Sequence, residues 1–160
     1  MKKASKKGFT LIELMIVLAI IAILAMVLVP KAGIFKSQSK NAGVYTNVNT
    51  VRAYLENKVG DNFITGADAA AGVTNVKTAI STAFSGEKFK NPLTTKEEIL
   101  SVTTSTGDSA PAVLVVAKNT ELTLSDFKGT VVIEYDFTGK IYNVYGIDNG
   151  AAKVSETTIK

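Results

Sequence analysis

The chain has 160 residues, with 18 Lys+Arg against 14 Asp+Glu, no Cys and no His. Lack of Cys removes disulfides and thiolate ligands, and lack of His removes the usual neutral-pH general base and the commonest zinc ligand. The net charge of +4 is local: Lys2, Lys3, Lys6 and Lys7 all precede Gly8, and the remainder carries 14 charges of each sign. That pattern does not support nucleic-acid binding. It marks a cationic terminus that stays cytoplasmic beside a membrane span.

Residues 9–29 form an apolar stretch of 21 residues, interrupted only by Thr10 and Glu13. About 20 apolar residues span the hydrocarbon core as a helix. A cleaved secretory signal has a shorter apolar region and an A-x-A-like site after it; this stretch is longer and ends without one. A plain single-pass anchor gains nothing from Glu13. A buried core helix needs more domain around it than this chain offers.

A carboxylate inside a spanning segment is a functional candidate with a partner to be found. Glu13 lies four residues after Phe9, one turn away on the same face. If the chain is cut before Phe9, the new terminal amine is a cation at that level. It can neutralise Glu13 of the same chain, or of a neighbour shifted by about one turn.

At Lys6-Lys7-Gly8-Phe9-Thr10-Leu11-Ile12-Glu13-Leu14, followed by the apolar run and Pro30, the sequence resembles the type IV pilin and pseudopilin family. The resemblance covers about the first 35 residues. It implies that Gly8 ends a leader removed by a membrane prepilin peptidase and that Phe9 becomes the N-methylated first residue. It implies that Glu13, with Thr10 beside it, pairs with a neighbouring subunit's amine. Pro30 then sits where the helix can loosen inside a filament.

Elementary chemistry agrees at several of these positions. Gly8 offers a protease an unhindered backbone. Pro30 removes a backbone donor and frees the carbonyl of Met26, which predicts a kink near residues 26–30, with Gly33 adding flexibility. Many family members have Gly in mid-span where this chain has Ala22; Ala predicts an intact helix through that point.

Val44, Val48, Val51, Leu55 and Val59 recur at helical spacing and predict an amphipathic continuation to about residue 59. Tyr45, Asn49, Arg52 and Glu56 lie on a polar-leaning face. The valine-rich stripe persists for only about two heptads, too few for a soluble coiled coil. Gly60-Asp61-Asn62 reads as a stop.

Residues 60–72 read as a connecting loop. Val73, Val76, Ile80 and Phe84 predict a short helix ended by Gly86. Thr94 or Thr95 followed by Glu97 and Glu98 predicts another helical turn, with Ile99 and Leu100 facing inward. Residues 111–118, 130–137 and 140–146 predict strands, the last two joined as a hairpin at Thr138-Gly139, and residues 154–159 predict a fourth, edge strand. Val131, Ile133, Tyr135 and Phe137 share one face; Val132, Glu134 and Asp136 share the other.

The fold expected is therefore α+β: a helix over about residues 9–59, kinked near Pro30, packed on a C-terminal antiparallel sheet of three to four strands. The expected divisions are a leader at 1–8, an apolar membrane and assembly helix at 9–30, its amphipathic half at 31–59, and a head at 60–160.

No enzyme constellation is legible. Gly107-Asp108-Ser109 has no His with which to form a triad. Asp136 and Asp148 could hold Ca²⁺ only if the fold converged further ligands on them, and solvated turns explain them better. No cofactor, metal or small-molecule substrate is expected. The expected protein is a structural subunit, held in the cytoplasmic membrane as a precursor and then assembled into a homo-oligomeric helical filament at the cell surface. Its partners are the prepilin peptidase, the membrane and the pilus assembly machinery. A pseudopilin of a secretion or competence system shares the same N-terminal physics. A membrane-anchored binding domain would keep its leader and carry a ligand constellation.

Overall fold

Helix α1, Leu11–Lys58, follows Thr10 directly and carries both the apolar run and the valine stripe. The computed structural model describes residues 8–58, 68–86, 89–100 and 110–160, with the backbone alone at 30–32 and 100. Val59, the Gly60-Asp61-Asn62 stop and Gly107-Asp108-Ser109 lie outside the described residues. Helical assignment is unbroken through Ala22, as Ala predicts, and also through Pro30. The expected kink at Pro30 is therefore not confirmed.

The chain divides into two units, one ending at Ser37 and the other running from Gln38 to Lys160. In the first, Leu11–Val29 is long and apolar enough to cross a membrane, with a mean hydropathy of 3.1 and none of it buried. Nothing in this unit covers it, so the apolar surface requires lipid or protein around it.

In the second unit, Val44, Val48, Val51 and Leu55 are completely buried, as their spacing predicts. Arg52 Nε meets Glu56 Oε1 at 2.7 Å on the other side of the helix. Helix α2, Ala69–Phe84, starts at Asp68, whose carboxylate accepts from the N–H of Ala71 at 2.8 Å. That cap satisfies one of the orphan donors of the first turn and sets the start four residues before Val73. Val73, Val76, Ile80 and Phe84 are its buried stripe.

Five strands follow: β1, Ile99–Leu100; β2, Val113–Ala117; β3, Val131–Asp136; β4, Ile141–Ile147; and β5, Lys153–Ile159. Their order across the sheet is their order in the chain. The pairs β3/β4 and β4/β5 are antiparallel, but β1/β2 and β2/β3 are parallel. The sheet is thus mixed rather than antiparallel. Parallel neighbours need a long crossover, and residues 118–130 supply it. This segment includes a short 3-10 turn, Leu124–Phe127.

The crossover has a second consequence. Both helices pack on one face of the sheet, with Val131, Ile133, Tyr135 and Val144 in the shared core. The opposite face carries its own apolar cluster of Leu114, Val116, Phe127, Val132, Tyr145 and Ile147, with Leu122 and Leu124 against it. Strand β2 is buried on both faces, which is why residues 112–117 read as a continuous apolar run rather than an alternation. Val132 accordingly faces a second core and not water. Tyr145 donates its hydroxyl to Glu134 Oε1 at 2.7 Å. Burial, and then that bond to an anion, hold its phenol far above the usual value.

The expected turn after Thr94 is not helical, and Ile99–Leu100 is a strand. Asn91 supplies the reason. Its Oδ1 accepts from the N–H groups of Leu93 at 2.8 Å and Thr94 at 3.1 Å, closing a local turn. Thr95 then has φ +62°, which takes the backbone off the helical path. Asn91 is fully buried, and its Nδ2 donates to the carbonyls of Pro111 at 2.9 Å, Lys128 at 3.0 Å and Ala110 at 3.3 Å. One side chain thereby ties the 91–94 turn to the residues leading into both β2 and β3. Gly129, at φ +82°, has no room for a Cβ beside Asn91 and Leu93. The neighbouring loop also meets α1, where Asn47 Nδ2 donates to the Lys90 carbonyl at 2.8 Å.

The β3–β4 hairpin turns on Asp136. Its carboxylate accepts from Lys118 Nζ at 2.7 Å and from the N–H groups of Thr138 and Gly139 at 3.0 and 3.1 Å. The Lys118 bond first, then the Gly139 N–H, hold this carboxyl below the usual carboxylate value. With the folded pKa below the unfolded one, its contribution is full above about pH 4 and is lost as pH falls through the folded value. Asp136→Asn is expected to melt below wild type at pH 7. Thermal melts should show the two converging as pH drops below about 4. A difference independent of pH would remove the carboxylate's charge from the account.

At the far edge, β5 contains a bulge. Its register against β4 shifts between Val144 and Gly146, opposite Ser155 at φ +58°.

Candidate functional site

Gly8 and Phe9 precede the helix, and Phe9 is 89% exposed. A Cβ at Gly8 would meet nothing within 4 Å. Among the described residues, nothing covers Gly8 or Phe9. Lys2, Lys3, Lys6 and Lys7 lie outside the described residues.

Thr10 is the N-cap of α1, and Glu13 is its third helical residue. Thr10 donates to Glu13 Oε2 twice, from its N–H at 2.8 Å and from its hydroxyl at 2.7 Å. The N–H of Glu13 returns a longer bond to Thr10 Oγ1 at 3.3 Å. This is a capping box, in which a Thr and a Glu three residues on satisfy each other's orphan backbone groups. The spacing T-x-x-E signals it in the sequence: beyond the expected assembly pair, Thr10 and Glu13 cap the helix. In this uncut chain the nitrogen of Phe9 is an amide, so no amine is present for Glu13 to meet. Its Oε2 already has two donors, and Oε1 accepts none among the described residues.

The arrangement does two things chemically. It anchors the helix end at a fixed residue, and it holds a carboxylate one turn from the bond that cleavage would open. The next sixteen residues of the helix are all apolar, so Glu13 is the one charged side chain between Leu11 and Val29.

Gly33 meets nothing within 4 Å of where a Cβ would stand. The structure brings Thr10 and Glu13 together and does not join Pro30 or Gly33 to them. The two acids considered for a cation are each committed to a local turn: Asp136 as above, and Asp148, whose Oδ1 accepts from the N–H of Ala152 at 2.8 Å. No group of three or more His, Cys, Asp or Glu converges among the described residues. Asn91, the most heavily bonded polar side chain among the described residues of the head, carries no sequence signal beyond an ordinary Asn-Pro turn.

The pattern defining the prokaryotic N-terminal methylation motif matches residues 3–29. Over 110 residues the chain is 34% identical to the type IV major fimbrial protein FimA of Dichelobacter nodosus, an alignment covering 60% of this chain and 69% of that protein. That alignment is far longer than the motif and therefore takes in part of the head. No solved structure is matched. Family pattern, a relative aligned beyond the motif, and a capped apolar helix leading into an α+β head agree: the chain belongs to the type IV pilin family, whose members are structural rather than enzymatic.

Proposed function

We propose that this chain is the structural subunit of a type IV pilus. The precursor sits in the cytoplasmic membrane through residues 9–30, with its lysine-rich leader inside. A prepilin peptidase adds water across the Gly8–Phe9 bond, leaving a carboxylate on Gly8 and an amine on Phe9. The amine is then methylated, which keeps its positive charge. Subunits leave the bilayer as their apolar helices pack together in a filament core, so burial is retained while the neighbours change.

The observation that carries this reading is the Thr10–Glu13 pair at the start of the apolar, uncovered stretch Leu11–Val29 of α1. In the precursor, Thr10 holds the carboxylate. After cleavage, the amine of a neighbouring subunit offers it a full positive charge. A carboxylate in an oily surrounding is stabilised far more by an ion partner than by neutral donors alone. The pairing therefore sets the axial register of the subunits. Pro30 and Gly33 are where the helix would loosen on assembly. The FimA alignment extends well past the methylation motif, which favours a pilus subunit over a pseudopilin.

The test is mass spectrometry of surface material sheared from cells. The expected N-terminal peptide begins at Phe9 and carries one methyl group. A chain beginning at Met1, or cut beyond Pro30, would defeat the proposal.

A further inference from the structure

The head carries a cleft that this function does not use. It has a volume of about 280 Å³ and opens where the C-terminal end of α2 faces the segment leading into β1. Its floor is aromatic. The Phe84 and Phe89 rings lie 4.9 Å apart, and Tyr54 continues the row at 5.6 Å from Phe84. Both phenylalanines are close to fully buried.

The walls are electronegative on two sides. On one, α2 ends in the cleft with no basic residue in its last turn, so the negative end of its dipole is uncompensated there by the helix itself. On the other stand Glu97 and Glu98. Lys90 Nζ holds Glu97 Oε1 at 2.8 Å. The Glu98 carboxylate has no protein partner among the described residues, although its backbone carbonyl is fixed by the N–H groups of Ala112 and Val113 at 2.9 and 3.4 Å.

An apolar aromatic floor below a carboxylate with no partner among the described residues, and beside a helix C-terminus, selects a cation on an apolar stem. The rings take the methylenes and the near face of the charge, and Glu98 takes the N–H bonds. A bare metal ion would gain nothing from the rings and would want more oxygen ligands than these two acids supply.

We propose that this cleft binds a primary alkylammonium group, as carried by a lysine side chain or a free polyamine. The full-length mature chain in detergent micelles is titrated with N-acetyl-lysine N-methylamide and, separately, with spermidine. Backbone NMR shifts at residues 81–85 and 97–99 are followed. The neutral control is the same lysine compound acetylated on its side chain.

Binding that saturates at these residues, and is lost with the neutral control, supports the site. Response to the lysine compound alone names a protein side chain as the source, and response to spermidine alone names a polyamine. Glu98→Gln removes a charge and leaves the fixed backbone in place. It is expected to weaken binding about tenfold, from the loss of a charged hydrogen bond, with an unchanged melting temperature. No binding to either probe overturns the proposal. Equal response to the neutral control, or affinity unchanged in Glu98→Gln, also overturns it. None of these readouts depends on filament formation, so the pilus reading stands or falls separately.

Discussion

Asn91→Ala is expected to destabilise the head by about 3–5 kcal/mol and to lower its melting temperature by roughly 15–30 °C. The side chain is fully buried and bonds five backbone groups from three stretches of chain: Leu93, Thr94, Ala110, Pro111 and Lys128. Truncation does not merely delete bonds. It leaves the Leu93 and Thr94 N–H groups and the Lys128 carbonyl short of a partner where water does not replace it easily. Each such orphan costs about 1–3 kcal/mol. Ala110 and Pro111 lose less, because Thr94 and Thr130 hydroxyls also donate to their carbonyls, at 2.7 and 2.8 Å. Asn91→Asp keeps the acceptor but turns a donor toward three carbonyls into a second acceptor, and is expected to be at least as damaging. Asn41→Ala is the control: it loses one exposed bond, from the Asn149 N–H at 3.0 Å, and should cost less than about 1 kcal/mol. Melts of the three variants followed by circular dichroism decide it. An Asn91→Ala head that melts within a few degrees of wild type would show that the knot contributes little.

Glu13→Ala is expected to leave the chain in the membrane and to cut the yield of sheared filaments by at least about tenfold, since the proposed pairing then lacks one member of its ion pair. Glu13→Gln makes the result specific. Gln at this position still serves a capping box, so the Thr10 bonds and the helix start survive while the charge does not. If the carboxylate acts by pairing with the amine, Gln fails as Ala does. If it acts only as a cap, Gln restores filaments. Immunoblots of membrane and sheared fractions read both. Normal filament yield from Glu13→Ala would remove the residue from assembly altogether.

Elements with strong periodicity were legible in the sequence. The valine stripe from Val44 to Leu55, the stripe of α2 and the strands β2 to β5 all follow from local pattern, because burial on one side writes a period of 3.6 or 2 into the chain. Pairing direction does not write such a pattern. Whether residues 113–117 run parallel or antiparallel to 131–136 depends on where residues 118–130 travel, and only the unbroken apolar run of β2 hints that both of its faces are covered. The β1 strand failed for a different reason. Glu97 and Glu98 after two threonines match a helix start, and the competing influence is Asn91, whose bonds reach residues far along the chain. The contact between Thr10 and Glu13 was legible from their T-x-x-E spacing, since the two residues are local to each other.

The bulge in β5 bears on how such subunits can crowd together safely. An open, flat strand offers its unpaired amides and carbonyls to any identical strand nearby, which is the geometry from which amyloid grows. Here the outermost strand is bent at Ser155 and carries charge at Lys153 and Glu156. It is a poor template for another copy. A second copy brought beside this edge is thus steered away from sheet-to-sheet stacking.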